Sequence, residues 1–258
     1  MKKCDIKIRK EFKGKDSGRK IEMESQRKYL TCEKRLVFEL LIMTAGMMGA
    51  YTFNLRGGVF SNAQTANVVL MAIAFGKKNI RHGFYFLLPI SAYLLGTVLS
   101  EILPKPVKKV KLFRWDTLLI MFEIVVLFGV GLIPLTVSNH IVQIIINFIC
   151  AMQQNTFRQA ESIPMTTTLC TNHLRQFGVW GVKYLKNKDE HSLTHQKSHF
   201  FMICFFFLGG FLETIACCIF GEKAIWLVLF PLGINLFKLL RADLKEEKDF
   251  LEKIPLGH

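Results

Sequence analysis

The chain has 258 residues, of which 51% are hydrophobic and 23 are Phe, and its 34 Lys and Arg outnumber its 20 Asp and Glu to give a net charge of +14. The apolar residues are gathered in long blocks rather than spread at amphipathic spacing, a composition that excludes an ordinary soluble domain and points to the membrane. The basic excess flanks those blocks and has no interleaved aromatic platform, so nucleic acid is not an expected partner.

Residues 1–35 carry 13 basic against 6 acidic side chains, with no early apolar region and no small-residue cleavage site. They read as a basic cytoplasmic tail near anionic headgroups, and no signal peptide is expected. A first membrane repeat follows over residues 36–136. In it Leu36–Phe53, Phe84–Leu103 and Leu118–Ile133 each approach the roughly 20 residues that span a hydrocarbon core of about 30 Å. Between the first two lies "QTANVVLMAIAF", a shorter apolar run led by Asn62, Gln64, Thr65 and Asn67.

The second repeat, residues 137–240, opens with the shorter Ile141–Met152, continues through a polar-led stretch holding Gln154, Asn155, Thr167 and Thr171, and ends in Phe200–Phe220 and Ala224–Leu240. Residues 241–258 form a charged cytoplasmic tail. The expected fold is an all-α integral membrane protein of about six transmembrane helices plus two short polar-led half or re-entrant helices, because in lipid each backbone amide must be satisfied within its own segment.

Charge chooses between layouts. If "QTANVVLMAIAF" does not cross, the N-terminal tail, "PKPVKKVKLFR", the stretch Arg158–His199 and the C-terminal tail all fall inside, and only "KKNIRH" sits outside. If it and its later counterpart both cross, there are eight spans and the heavier basic loop is external. Six crossings, with both termini cytoplasmic in a multi-pass protein of the cell membrane, violate the rule less.

The order of elements occurs twice. "GAYTFNLRGGVFSNAQTANVVL", from Gly49, is echoed 106 residues later by "NTFRQAESIPMTTTLCTNHLRQ", from Asn155, so that Thr65 falls on Thr171 and Asn67 on His173. "YLLGTVLS" is similarly echoed by "FFLGGFLE". Three crossings per half make the repeat inverted, an architecture that carriers use with a site where interrupted helices meet; four per half make it parallel.

Together "GAYTFNLRGGVFSNAQTANVVL" and "MQQNTFRQAESIPMTTTLCTN" resemble the YoaK-type family of uncharacterised bacterial multi-pass membrane proteins, over roughly Leu36 to Leu240. The matching positions are Gly49-Ala50-Tyr51, Gly57-Gly58, Asn62, Gln64-Thr65-Ala66-Asn67, Gln154-Asn155 and Thr171-Asn172-His173. Gly49 stands where an acid is common, Ala66 replaces a glycine, and Asn172-His173 replaces Gly-Asn. The resemblance implies six or so membrane helices and no activity.

Polar groups at membrane depth cost about 1–3 kcal/mol each when unpaired, so the two clusters have a use. They can line a ligand site at a half-helix start, tie helices together, or cap the short helices. The candidate solute-binding residues are Asn62, Gln64, Thr65, Asn67, Gln154, Asn155, Thr167 and Thr171. Glu123 and Glu213, inside apolar runs, are candidates for ion coupling, whereas Glu39 sits near enough to Lys34 and Arg35 to snorkel. His191, His195 and His199 recur at i, i+4 and i+8 in "KYLKNKDEHSLTHQKSH", but a basic loop of this kind reads as solvated, not as a metal site.

No nucleophile elbow, phosphate loop or HExxH motif occurs, so an enzyme is not expected and no cofactor is implied. The expectation is a transporter or permease that moves a small polar or anionic solute by alternating access, with the lipid bilayer as surroundings and room for a homo-oligomer. The rival is a non-transporting scaffold or sensor with a cytoplasmic partner.

Overall fold

Each apolar block of the sequence becomes helix, the conformation in which a segment satisfies its own amides without water. The computed structural model describes residues 29–110, 112–248 and 251. Most of the two tails read as cytoplasmic, residues 1–28 and much of 249–258, lies outside the described residues. The unit that begins at Thr31 carries everything that follows.

Its helices are α1 (Arg35–Leu55), α2 (Gln64–Gly76), α3 (Ile80–Tyr85), α4 (Leu87–Ile102), α5 (Pro104–Val110), α6 (Trp115–Val130), α7 (Asn139–Thr156), α8 (Thr171–Asn187), α9 (Glu190–Phe220) and α10 (Leu229–Arg241). A two-residue antiparallel hairpin, β1 (Gln159–Ala160) and β2 (Ile163–Pro164), follows α7. A 3-10 stretch, Gly221–Val228, joins α9 to α10, and a π-helical turn, Ala242–Glu246, ends the run. Three helical stretches, Arg35–Leu55, Ile80–Val107 and Glu190–Glu246, are long and apolar enough to cross a membrane, and they mark the chain as a membrane protein.

The elements depart from the sequence expectation in three places. The block Phe84–Leu103 is broken at Phe86, and Ala224–Leu240 starts as 3-10 and turns α-helical at Leu229. The stretch Arg158–His199 is not a loop but a hairpin, a helix and the first ten residues of α9. Capping builds those helices: Asp189 accepts from the Ser192 amide at 2.7 Å and hydroxyl at 2.8 Å, and Lys188, left-handed at φ 55°, closes α8.

α1 is the axis of the fold. Its apolar window is 72% buried against 22% for the other two spans, so α1 packs against protein where they face outward. It lies along α9 at a seam of glycines, where the backbone of Gly46 meets Phe206 and Gly210 and that of Gly209 meets Met43. α4 lies along α7 in the same way, with Gly96 against Phe148 and Ala151. α6 packs on α10.

Contacts also fix directions. α1 runs from Arg35, paired with Glu161 at 2.8 Å, to Arg56, whose guanidinium donates to the carbonyls of Pro134 at 3.1 Å and Ile133 at 2.5 Å at the far end of α6. α7 runs the opposite way: His140 at its start meets Tyr85, and Asn155 at its end bonds Ser100 at 2.9 Å. α4 therefore descends beside α7, and α9 ascends beside α1.

The two short polar-led helices do not run end to end. Gly57 and Gly58, at φ 93° and 70°, turn the chain back after α1, and only glycine adopts those angles freely. The chain then returns to Asn62, which bonds Ala45 midway along α1, and α2 leaves toward the α3 end. After α7 the chain likewise returns inward, to Thr167 beside Gln153, and α8 leaves along α9 toward its start.

The end that holds Arg35 is closed by a buried ionic knot. Arg114, 6% exposed, donates from Nη1 to Glu247 at 2.5 Å and from its amide to Asp243 at 3.0 Å. Thr117 donates to Asp243 at 2.6 Å, and Thr31 to Glu247 at 2.8 Å through its hydroxyl. The knot joins the starts of α1 and α6 to the end of α10.

The glycine seams yield a prediction. A Cβ on Gly96 would sit 2.4 Å from the Phe148 carbonyl oxygen and one on Gly209 2.1 Å from that of Met43, whereas one on Gly129 would meet nothing within 4 Å. Gly96→Ala and Gly209→Ala should each destabilise the protein by about 1–3 kcal/mol through overpacking, and Gly129→Ala should not. Melting temperatures in detergent check this, and equal values for the three variants would contradict the seams.

Candidate functional site

The amides of the first half are spent on the protein. Asn67 donates to Gln64 Oε1 at 3.0 Å, and Gln64 donates in turn to Asn147 Oδ1 on α7. Asn147 donates to the Gln143 carbonyl at 2.8 Å, and Gln143 to that of Arg56 at 2.5 Å. Each side chain acts as donor and the chain of bonds ties α2 to α7 and the end of α1. Such a fully connected network is the form in which buried amides are tolerated.

Asn62 does a different job. Its Nδ2 donates to the Ala45 carbonyl at 3.4 Å and to the Thr168 carbonyl at 3.0 Å, so it joins the turn before α2 to the loop before α8. Asn62 and Thr168 stand 106 residues apart, which is the displacement between the echoed segments. Thr65 is exposed on α2 and Thr171 on the first turn of α8, and no hydrogen bond joins either to these networks among the described residues.

The second cluster opens onto space. A cleft of about 490 Å³ lies between α4, α7 and the loop leading into α8. Gln154, Asn155, Arg158, Thr166 and Asn172 line it, with Tyr93 and Thr97 from α4. Thr167 is beside it in sequence but is fully buried, its carbonyl accepting from Gln153 at 3.3 Å and its hydroxyl without a hydrogen-bond partner among the described residues.

Arg158 is the cation of the cleft. Its Nε donates to the Asn155 carbonyl at 2.5 Å and its Nη2 to Asn155 Oδ1 at 2.9 Å and Glu101 Oε2 at 2.7 Å. Asn155 Nδ2 donates to Ser100 Oγ at 2.9 Å and to the same Glu101 oxygen at 3.1 Å. The pair is partly open, with side-chain exposures of 38% for Arg158 and 68% for Glu101, so its net worth is at most about 1 kcal/mol and an anion can compete for the guanidinium.

Two histidines brace α8. His173 Nε2 lies 2.8 Å from the Thr166 carbonyl, which makes that nitrogen the donor, and its Nδ1 then accepts from His199 Nδ1 at 2.9 Å. His199 is thus a buried part of α9 and not a solvated loop residue; His191 and His195 pair with each other at 3.1 Å and flank Trp180. No group of three or more potential ligands that could hold a metal occurs among the described residues.

Glu213 is fully buried on α9, and neither of its carboxyl oxygens has a hydrogen-bond partner among the described residues; Glu123, 2% exposed on α6, has one such oxygen. Neither lines the cleft. Gln143 and Asn147 are buried polar residues of the first network that local sequence does not single out, although their four-residue spacing within an apolar helix is a visible stripe.

Removal of the Asn62 side chain strands the Thr168 carbonyl in a dry interior. Asn62→Ala should cost about 1–3 kcal/mol, whereas Thr65→Ala should stay within about 0.5 kcal/mol. Thermal unfolding in detergent reads both, and an Asn62→Ala variant as stable as the parent would refute the stitch.

No curated protein matches the chain, and no solved structure does. A family match covers residues 37–237, almost the whole helical unit, in agreement with the resemblance carried by the two echoed segments. The chain therefore belongs to the family described as "Protein of unknown function (DUF1275)".

Proposed function

We propose that the protein is a membrane carrier for a small polar or anionic solute, built of two inverted halves and working by alternating access. Each half has three spans and one re-entrant half-helix: α1, α2, α4 and α6, then α7, α8, α9 and α10. The observation that carries the reading is the meeting of Asn62 with Thr168. Equivalent positions of two echoed segments touch there, and from that point α2 and α8 leave in opposite directions. A two-fold axis in the membrane plane passing there would bring equivalent positions of the two halves together in this way, and carriers built of inverted repeats bind solute where the halves meet.

The packing supports the same relation. α1 lies on α9 and α7 on α4, each pair crossing at a glycine of the echoed "YLLGTVLS" and "FFLGGFLE" segments, Gly96 in one and Gly209 in the other. α6 and α10, the last span of each half, pack together across the axis. On this reading the end with Arg35 is cytoplasmic, since "PKPVKKVKLFR" and the basic residues of α8 lie there.

The cleft at Arg158 is the solute site. Its guanidinium and the amides of Gln154 and Asn172 offer donors to carboxylate or phosphate oxygens, and Asn172 stands in the first turn of α8, at the positive end of that helix. Solute displaces Glu101 from Arg158, and the halves tilt at the glycine seams about the Asn62 stitch. Glu123 and Glu213, buried outside the cleft, are the groups available to carry a coupled proton.

Uptake of small carboxylates and phosphates into proteoliposomes tests this. Arg158→Gln removes a charge-assisted bond worth about 1.5–3 kcal/mol and should lower uptake about tenfold or more while the protein still folds. A well-folded parent that moves no solute of the panel, or a variant with unchanged uptake, would sink the proposal.

A further inference from the structure

Away from the cleft, on the outward surface, α10 and the start of α1 enclose a groove of about 750 Å³. Its floor is rigid, because Asn235 on α10 donates to the Val37 carbonyl at 3.2 Å and fixes the two helices together. Gly233 leaves a gap in the wall, with no atom within 4 Å of where a Cβ would stand, and Phe230 and Phe237 flank it with 70% and 66% exposure. One end of this apolar channel is different. Lys34, Lys238 and Arg241 converge at its mouth, and the single acid among the lining residues, Glu246, is bonded to Arg241 at 2.9 Å.

The dimensions match one leaflet. The groove follows α10 from Leu229 to Arg241, 13 residues, or about 20 Å of helix at 1.5 Å per residue. That is somewhat more than half a hydrocarbon core of about 30 Å. The basic mouth lies at the end of α10 that enters the ionic knot, the end where the polar residues of the chain collect.

We propose that this groove holds a phospholipid with an anionic headgroup, its acyl chain along Gly233 and its phosphodiester at Lys34, Lys238 and Arg241. The charges decide the occupant. An apolar channel that ends in three cations and one acid complements a molecule with a long apolar tail and a terminal negative charge. A second copy of this chain, docked about an axis along the membrane normal, would bring two such mouths together in mutual repulsion. A soluble phosphate would leave the apolar length empty.

Native mass spectrometry of the detergent-purified full chain, given equal amounts of phosphatidylglycerol and phosphatidylcholine, tests the proposal. The parent should retain phosphatidylglycerol several-fold over phosphatidylcholine. Lys34→Gln/Lys238→Gln, which leaves the Arg241–Glu246 pair intact, should bring that ratio close to one. Gly233→Trp fills the gap without touching charge and should lower retention of both lipids, with an unchanged elution volume reporting that each variant folds. Equal retention of the two lipids by the parent, or a preference that survives in both variants, would overturn the proposal. So would stabilisation by inorganic phosphate equal to that by phosphatidylglycerol.

Discussion

One hydrogen-bonded asparagine organises the interior. In a bilayer no water can satisfy a carbonyl left over where a helix has not yet begun, and both short helices begin in such places. Asn62, in the turn before α2, answers for the Thr168 carbonyl in the loop before α8 and at the same time holds to the Ala45 carbonyl on α1. Because that side chain serves two loops, neither loop can relax without unsatisfying the other. The start of α2 is thereby fixed relative to the start of α8, and with it the wall of the Arg158 cleft.

The two polar clusters, alike in sequence, are put to unlike use. In the first, the amides close on one another and on backbone: Asn67 on Gln64, Gln64 on Asn147, Gln143 on the Arg56 carbonyl, Asn62 on those of Ala45 and Thr168. In the second, Gln154, Asn155 and Arg158 face a cleft and are tied to one another and to Thr168, Thr97, Ser100 and Glu101 at its edges. On the proposed carrier reading this is a division of labour, in which the amides of the opening half act as glue and the loop after α7 is the proposed place of recognition.

The sequence made the helical class legible because long apolar blocks have few other solutions, and it made the polar-led pair legible because amides at depth are conspicuous. The family followed from the same residues. What escaped it is long-range pairing. Nothing local marks Arg114 as buried, since its partners Asp243 and Glu247 lie 129 and 133 residues away and all three look like tail or loop charges. His199 looked solvated for the same reason, until the fold set His173 against it. Gln143 and Asn147 were readable as a stripe on α7, but only the bonds of Asn147 to α2 and of Gln143 to the end of α1 give the stripe a meaning.

The central claim is that α2 enters and leaves the membrane on one side while α8 does so on the other. In a cysteine-free background, single cysteines at Gly58 and Lys77, which bracket the returning loop and α2, can be labelled with a membrane-impermeant maleimide on intact cells. The account predicts that both label from the same, outer face. Labelling of one from outside and of the other only after the membrane is opened would mean that α2 crosses, and would contradict the inverted architecture and the carrier built on it.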